Sequence, residues 1–289
     1  MTFVCNICGA ANTVESFATE PATCSCGSNV RLRSLMHLLS LELFGYSLTV
    51  KDFPRLKSVR GIGLTDQQCY AEILADKFAY TNTHYDREPR LDITEHHPNL
   101  VESFDFVLAA DVLEHTAPPI ERALGELCLL LKPNGFLGIT ICCHPSDRMR
   151  EHFPDLHEYR VVSLGNSTVL VNRRSDGTLE VLDDLIFHGG SGETLEMREF
   201  GVTSLRAKLL AAGFQHLDLF STDIPEIGIM FDDDVSQPLI ARKHPFALDV
   251  AARRDLVAQW RHQSAQISLA SQSRWLKLGR SLGVGPKFD

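Results

Sequence analysis

Four cysteines open the chain as two close pairs, Cys5-x2-Cys8 and Cys24-x-Cys26, with fifteen residues between the pairs. Two close pairs on separate turns are the pattern that supplies four thiolates to one tetrahedral zinc ion. Glycine follows Cys8 and Cys26 directly, which suits tight turns around a metal. The second pair has one intervening residue where two are usual, so His37 is an alternative ligand should Cys24 or Cys26 point away. A closed four-thiolate site has no open coordination position, and its expected role is structural. The other cysteines (Cys69, Cys128, Cys142, Cys143) sit within apolar segments and read as small buried hydrophobes.

Histidines form the second group with chemical potential. His115 ends an apolar run, and His188 stands between Leu185-Ile186-Phe187 and a Gly-Gly-Ser-Gly turn followed by Glu193, Glu196 and Arg198. Glu151, His152, His157 and Glu158 lie in the stretch between them. An ordinary imidazole has a pKa of about 6.5 and serves as a general base near neutral pH. His115 and His188 are the two candidates for that role. His152 and His188 are also possible metal ligands, although no zincin-type spacing supports it.

A glycine pair, Arg60-Gly61-Ile62-Gly63-Leu64-Thr65-Asp66, falls between a strand pattern and a helix pattern. Glycine lets backbone come close to a ligand, and ligands in open α/β sheets bind beyond the carboxyl ends of the strands.

Alternating elements position these residues. LKSVRGIGL reads as a strand ending in a glycine turn, DQQCYAEILADKF as a helix with Asp66 as its N-cap, and FAYTNTHY as a second strand. FDFVLAADV is a continuous apolar strand suited to the centre of a parallel sheet. PPIERALGELCLLLKPNG is a helix, FLGITICCH a strand, TSLRAKLLAAGF a helix, and HLDLFSTD and SQPLIARKH the last strands. Between residues 145 and 200 the alternation breaks into EYRVVSLG, TVLVNRR and LEVLDDLIF, the signature of an antiparallel insertion. Residues 31–46 carry leucines at helical spacing up to Gly45. Residues 246–275 form a polar amphipathic helix before a glycine-rich, loosely ordered tail.

The formal net charge is -9, which disfavours a nucleic-acid partner. Arg31 and Arg33 read as a solvated helix face. No apolar run is long enough to span a bilayer. MTFVCNICGA shows no basic-then-apolar leader, so the expected location is cytoplasmic.

The segment from Asp105 to Ile141 carries a family resemblance. It holds an aspartate entering a strand, Asp111-Val112-Leu113-Glu114-His115 at that strand's end, a helix, and Leu131-Lys132-Pro133-Asn134-Gly135 before the next strand. It resembles the class I S-adenosylmethionine-dependent methyltransferases of the ubiquinone-biosynthesis type, over residues 56–144 and again at 203–244. The resemblance implies an α/β fold, a Rossmann-like sheet of seven strands. It also implies an S-adenosylmethionine site in which Gly61, Gly63, Asp111 and Leu113 face the methionine part. Asn82 and Tyr85 would stand near the ribose, with Asp86 able to reach back, and Asp92 and Ile93 near the adenine. Val59 and Arg60 stand where this family carries an acid, and the second strand also lacks its usual acid.

The segments Glu-His-Phe-Pro (151–154), Phe-His-Gly-Gly (187–190) and the tail SRWLKLGRSLGVGP resemble bacterial methyltransferases of surface-polysaccharide gene sets. That implies O-methylation of a sugar, glycan or other small polar hydroxyl. The expected division is a zinc-ribbon-like module at 1–30, a linking helix at 31–55, a methyltransferase domain at 56–245 with its acceptor-side insertion at 145–200, and a C-terminal helix and tail at 246–289. Two other functions compete: an RNA-modifying methyltransferase that grips RNA through the zinc module, and a non-catalytic adaptor with a degenerate fold. The sequence leaves the acceptor and the oligomeric state open.

Overall fold

The structure is a computed structural model. It describes residues 2–15, 24–141, 147–165, 167–188, 194–231, 237–273 and 275–276, with the backbone alone at 143–144. Cys142, the glycine turn after His188 with Glu193, and the tail beyond 276 lie outside the described residues.

The elements run β1 (Thr2–Val4), β2 (Ala11–Thr13), α1 (Val30–Phe44), β3 (Leu56–Leu64), α2 (Gln68–Lys77), β4 (Phe78–Thr83), β5 (Phe104–Ala110), α3 (Ile120–Leu130) and β6 (Leu131–Ile141). Then follow β7 (Cys143–His144), β8 (Arg150–Glu151), β9 (Glu158–Leu164), β10 (Ser167–Arg173), β11 (Leu179–Leu182), β12 (Phe187–His188), β13 (Thr194–Leu195) and β14 (Arg198–Gly201). The chain closes with α4 (Val202–Ala211), β15 (His216–Leu219), β16 (Gln237–Arg242) and α5 (Val250–Gln272).

The centre is a mixed sheet of six strands in the order β15-β16-β6-β5-β3-β4. The strands β4, β3, β5 and β6 run parallel, and β16 and β15 each pair antiparallel with their neighbour. The middle strand β5 is buried along almost its whole length, as its unbroken apolar run requires. One face is covered by α1, whose Leu35, Leu39 and Leu43 pack with Phe106, Phe136 and Ile240. On the other face Leu124 and Leu127 of α3 and Leu205 and Leu209 of α4 meet Val107, Leu137 and Ile139. Two layers of helix around a sheet bury the apolar surface of both faces.

Three expectations need correction. The sheet has six strands among the described residues, not seven. The stretch between β4 and β5 folds into turns, because Asp92 accepts from the Thr94 backbone N–H at 2.9 Å and its hydroxyl at 2.7 Å. Pro89 and Pro98 in the same stretch have no N–H to give a ladder. The helix expected as a linker is α1, an integral cover of the sheet; its Asn29 cap accepts from Leu32 N, and Gly45 ends it at φ 75°. Finally, Gly61 and Gly63 lie inside β3 and not in the turn after it.

The N-terminal hairpin β1–β2 is joined to the same core. Phe3, Cys5, Ile7 and Cys24 pack into the cluster that contains α1. Arg33, expected at a solvated face, is fully buried. Its guanidinium donates to Gly228 O at 2.9 and 2.7 Å and to Ser28 O at 2.8 Å, and lies over the Phe3 ring.

Within 147–201, β9, β10 and β11 form an antiparallel sheet, and β12 pairs antiparallel with β13. β14 pairs parallel with β7 and antiparallel with β8. Phe153, Leu170, Leu195 and Met197 make its small separate core. No helix among the described residues is long and apolar enough to cross a membrane.

Candidate functional site

The carboxyl ends of β3, β4 and β5 meet along one edge of the sheet, where a ligand of an open α/β fold binds. After β3 the chain turns through Thr65 at φ 57°, tied by its N–H to Thr83 O at 2.7 Å. Asp66 follows, almost fully buried, with the Tyr80 hydroxyl donating to its Oδ2. Burial pushes the Asp66 carboxyl up to about 7. Asp66 is therefore no N-cap, and Gln67 stands at that position of α2.

The two glycines of β3 serve the interior. A Cβ at Gly61 would lie 2.1 Å from the Phe106 ring, and one at Gly63 would lie 2.0 Å from Tyr80 Oη and 2.1 Å from Asp66 Oδ2. Gly61 makes room for an aromatic core residue, which corrects its expected place in a ligand-facing turn. Gly63 makes room for the Tyr80–Asp66 pair at the strand mouth.

At the end of β4, Asn82 and Asp66 exchange two bonds. Asp66 N donates to Asn82 Oδ1 at 2.9 Å, and Asn82 Nδ2 donates to Asp66 O at 2.8 Å. Asn82 thus fixes the turn after β3. Tyr85 is exposed, with the Arg90 guanidinium over its ring at 5.9 Å. Asp92 and Ile93 are buried beside this edge, Ile93 in the cluster of Ile62 and Leu64.

After β5, Asp111 takes φ 52° and points its carboxylate at two partners. Thr140 Oγ1 donates to Oδ1 at 3.0 Å, and Arg31 Nε lies 3.3 Å from Oδ2. Arg31 thus comes from α1 into the site. Leu113 is fully buried and packs into the core, so its side chain offers no ligand surface. Asp105, the acid that enters β5, sits at the opposite end, where it accepts from Lys132 and from Arg60 N at 2.8 Å. Its work is to clamp β3, β5 and β6.

Buried polar atoms near these strand ends without a hydrogen-bond partner include Asp66 Oδ1, Tyr70 Oη, His84 Nδ1 and Glu114 Oε2.

The histidines converge on the segment after β5. His115 and His188 meet edge to face, with ring centroids 4.9 Å apart. His115 Nδ1 donates to Leu195 O at 3.0 Å, which leaves the lone pair on Nε2. Glu196 bridges His188 Nε2 and His152 Nε2, the latter at 2.8 Å. Burial, and less so His188, lower the His115 pKa. Glu114 is buried; burial first and then the Asp111 charge push its carboxyl up to about 8. Arg198, fully buried, donates to Glu151 at 2.8 Å and to the carbonyls of Leu113 and Thr116 at 2.6 Å. It ties β14 to the end of β5. The pairing His115–His188 spans 73 residues of sequence and was invisible as a motif, as was the bridging role of Glu196.

The four N-terminal sulfurs gather in one place, all within 4.8 Å of one another. Cys5 and Cys26 Sγ are 3.9 Å apart, and Cys8 and Cys24 Sγ 3.5 Å. Zn–S bonds of about 2.3 Å in a tetrahedron place sulfurs roughly 3.8 Å apart. Backbone N–H groups of Ile7 and Ala10 donate to Cys5 and Cys8 Sγ at 3.4 Å. The donor set fits zinc. His37 is engaged elsewhere, with Nδ1 2.8 Å from Ser47 Oγ.

Residues 69–139 match the family model described as a methyltransferase domain. That match covers about a quarter of the chain, and it falls on α2, β4, β5, α3 and most of β6. No curated protein matches the chain. Among solved structures, the chain is similar to the methyltransferase domain of a citrinin polyketide synthase, at 15% identity and TM-score 0.43, over 75% of this chain and 53% of that one. It therefore spans about half the length of that structure. It is similar to the 1,6-didemethyltoxoflavin N1-methyltransferase of Burkholderia thailandensis, at 17% identity and TM-score 0.41, over 74% of this chain and 78% of that one. It is also similar to a sugar N-methyltransferase of Streptoalloteichus, at 12% identity and TM-score 0.40, over 80% and 89%.

Proposed function

We propose that this chain methylates a hydroxyl of a sugar, glycan or other small polar metabolite, with S-adenosylmethionine as donor. The observation that carries the reading is the meeting of His115 and His188 beside the carboxyl end of β5. It brings His188 of the insertion against His115 of the β5 end, which supports a proton acceptor beside the edge assigned to the donor. Asn82, Tyr85, Asp92, Ile93 and Asp111, with the turn at Thr65 after β3, are the residues that hold the cofactor. When bound, the cofactor supplies an electrophilic methyl on sulfonium. The chain's own part is to align the acceptor and to take its proton at the His115–His188 face, with Glu196 orienting His188. The net charge of -9 argues against RNA. Cys5, Cys8, Cys24 and Cys26 hold a structural zinc ion, the insertion at 145–200 forms the acceptor side, and the protein works in the cytoplasm.

The test combines calorimetry and transfer. S-adenosylhomocysteine should bind one to one, with weaker binding in Asp111→Ala. Labelled methyl should pass to a hydroxyl in a panel of sugars and oligosaccharides and not to transfer RNA. No binding at millimolar S-adenosylhomocysteine returns the chain to the adaptor reading, and salt-sensitive transfer to RNA replaces the acceptor class.

A further inference from the structure

The same corner holds a second potential metal-binding arrangement, distinct from the cysteines. Glu114, His115 and His188 each place one ligand atom within 4.8 Å of the others. Three features set this cluster apart from a chance gathering of polar groups. Glu114 is 4% exposed, and its Oε2 has no hydrogen-bond partner. A buried carboxylate oxygen without a donor is a costly arrangement that a cation relieves. Each histidine is oriented by an oxygen through one ring nitrogen: His115 Nδ1 by Leu195 O, His188 Nε2 by Glu196. That leaves a lone pair on the other nitrogen of each ring. Histidine ligands of metals are held this way, by a carbonyl or carboxylate on the far nitrogen. Glu196 is itself held by His152 at 2.8 Å, so the orienting carboxylate is fixed in turn.

We propose that Glu114, His115 and His188 bind a divalent first-row transition-metal ion at the acceptor side of the methyltransferase domain. Two imidazoles and one carboxylate suit manganese, iron, cobalt or zinc better than magnesium, which favours all-oxygen sites. Three protein ligands leave coordination positions open, unlike the closed four-thiolate site. This rests on the methyltransferase reading for its chemical consequence and replaces the base role given there to His115 and His188 by a ligand role. A hydroxyl oxygen of the acceptor takes an open position, and the ion lowers its pKa. The O–H bond breaks and the proton passes to solvent. The oxygen then forms its bond to the methyl carbon while the sulfur–methyl bond breaks, and S-adenosylhomocysteine leaves with that electron pair. In this arrangement the two imidazoles act as ligands and not as the base.

The experiment is a calorimetric titration of the full chain, with zinc retained, by manganese chloride and cobalt chloride. One ion per chain is expected to bind beyond the cysteine-held zinc. In the cobalt form its spectrum should lack sulfur-to-metal charge transfer. His188→Ala and Glu114→Gln should weaken that binding at least about tenfold, in line with the loss expected for disturbed metal ligation. Cys8→Ser should keep it. S-adenosylhomocysteine binding measured on His188→Ala reports that the variant is folded. No extra ion in the wild type at millimolar manganese or cobalt overturns the proposal, as does ion binding that both ligand variants leave unchanged. If the ion binds and S-adenosylhomocysteine does not, the cofactor reading fails and the metal site stands. If activity is metal-independent and no ion binds, the imidazoles act as bases directly.

Discussion

Gly61 shows how a residue can be noticed for one reason and kept for another. The sequence offers a G-x-G near a strand end, and a ligand turn is the natural expectation. In the structure Gly61 pairs with Phe106 on one side and Tyr80 on the other, inside the sheet. The Phe106 ring fills the space a side chain would need. Phe106 is itself stacked on Tyr80 and Phe136 and cannot swing away. Gly61→Ala should therefore cost about 1–3 kcal/mol of stability by overpacking. Urea denaturation reads this directly; an unchanged midpoint with impaired S-adenosylhomocysteine binding would return Gly61 to the ligand. Asp66 gives a second prediction at this scale. Its native pKa of about 7 lies above the ordinary value of 3.8. Between those values the folded chain holds a proton that the unfolded chain has lost, so stability falls as pH rises from about 4 to 7. Asp66→Asn should flatten that decline and be relatively more stable at pH 8, by up to a few kcal/mol at ~1.4 per pKa unit. Parallel stability curves for the two proteins across that range would show that Asp66 does not titrate there.

Among elements, the apolar strands and amphipathic helices were legible because local periodicity mirrors burial. β5 and α3 lie where Asp105–Ile141 predicts them, since a continuous apolar run and a helical stripe have few other solutions, while β6 begins at Leu131, inside the stretch expected to close the helix. What failed depended on partners far along the chain. Arg33 looks like a solvated arginine until Gly228, 195 residues away, supplies a carbonyl. α1 looks like a linker until the sheet is there to receive its leucines. The count of seven strands came from the family resemblance alone, since the periodicity marks only the six segments that form the sheet among the described residues. The cysteine module belongs to this scale as well. Cys5 and Cys24 are buried in the cluster that contains α1, so loss of the metal should loosen more than the hairpin. Cys8→Ser is expected to lose about one zinc per chain by metal analysis and to lower the melting temperature of the whole domain. Full zinc content in that variant would remove the assignment, and zinc loss with no thermal change would make the module an independent appendage.

At the scale of the whole molecule, the proposed methyl transfer requires the edge assigned to the donor and the insertion assigned to the acceptor to be held together. The donor edge could be read in part from Asp111 and its neighbours, because its residues are close in sequence. The acceptor side could not, because it is assembled from β12, β13, β14 and the turn after β5. Sequence pointed to His115 and His188 separately, and only the fold brings their rings together. Arg198 is the joint. Without solvent around it, it satisfies Leu113 O, Thr116 O and Glu151 at once. Beside it, Met197 N donates to Glu114 O at 2.7 Å. Arg198→Ala would leave two carbonyls and a carboxylate without their donor, a loss of about 3–5 kcal/mol for a broken buried ion pair. Arg198→Lys keeps the charge but not the fork, and should recover only part of it. Chemical denaturation of both variants gives the stability. S-adenosylhomocysteine calorimetry on each shows whether the donor edge survives when the insertion is released. The expected result is a large stability loss, a smaller loss of cofactor affinity, and transfer to acceptor reduced well beyond either. A change in stability below ~0.5 kcal/mol for Arg198→Ala, the size of an ordinary surface substitution, would mean that the insertion is held by other contacts and that Arg198 is not its anchor.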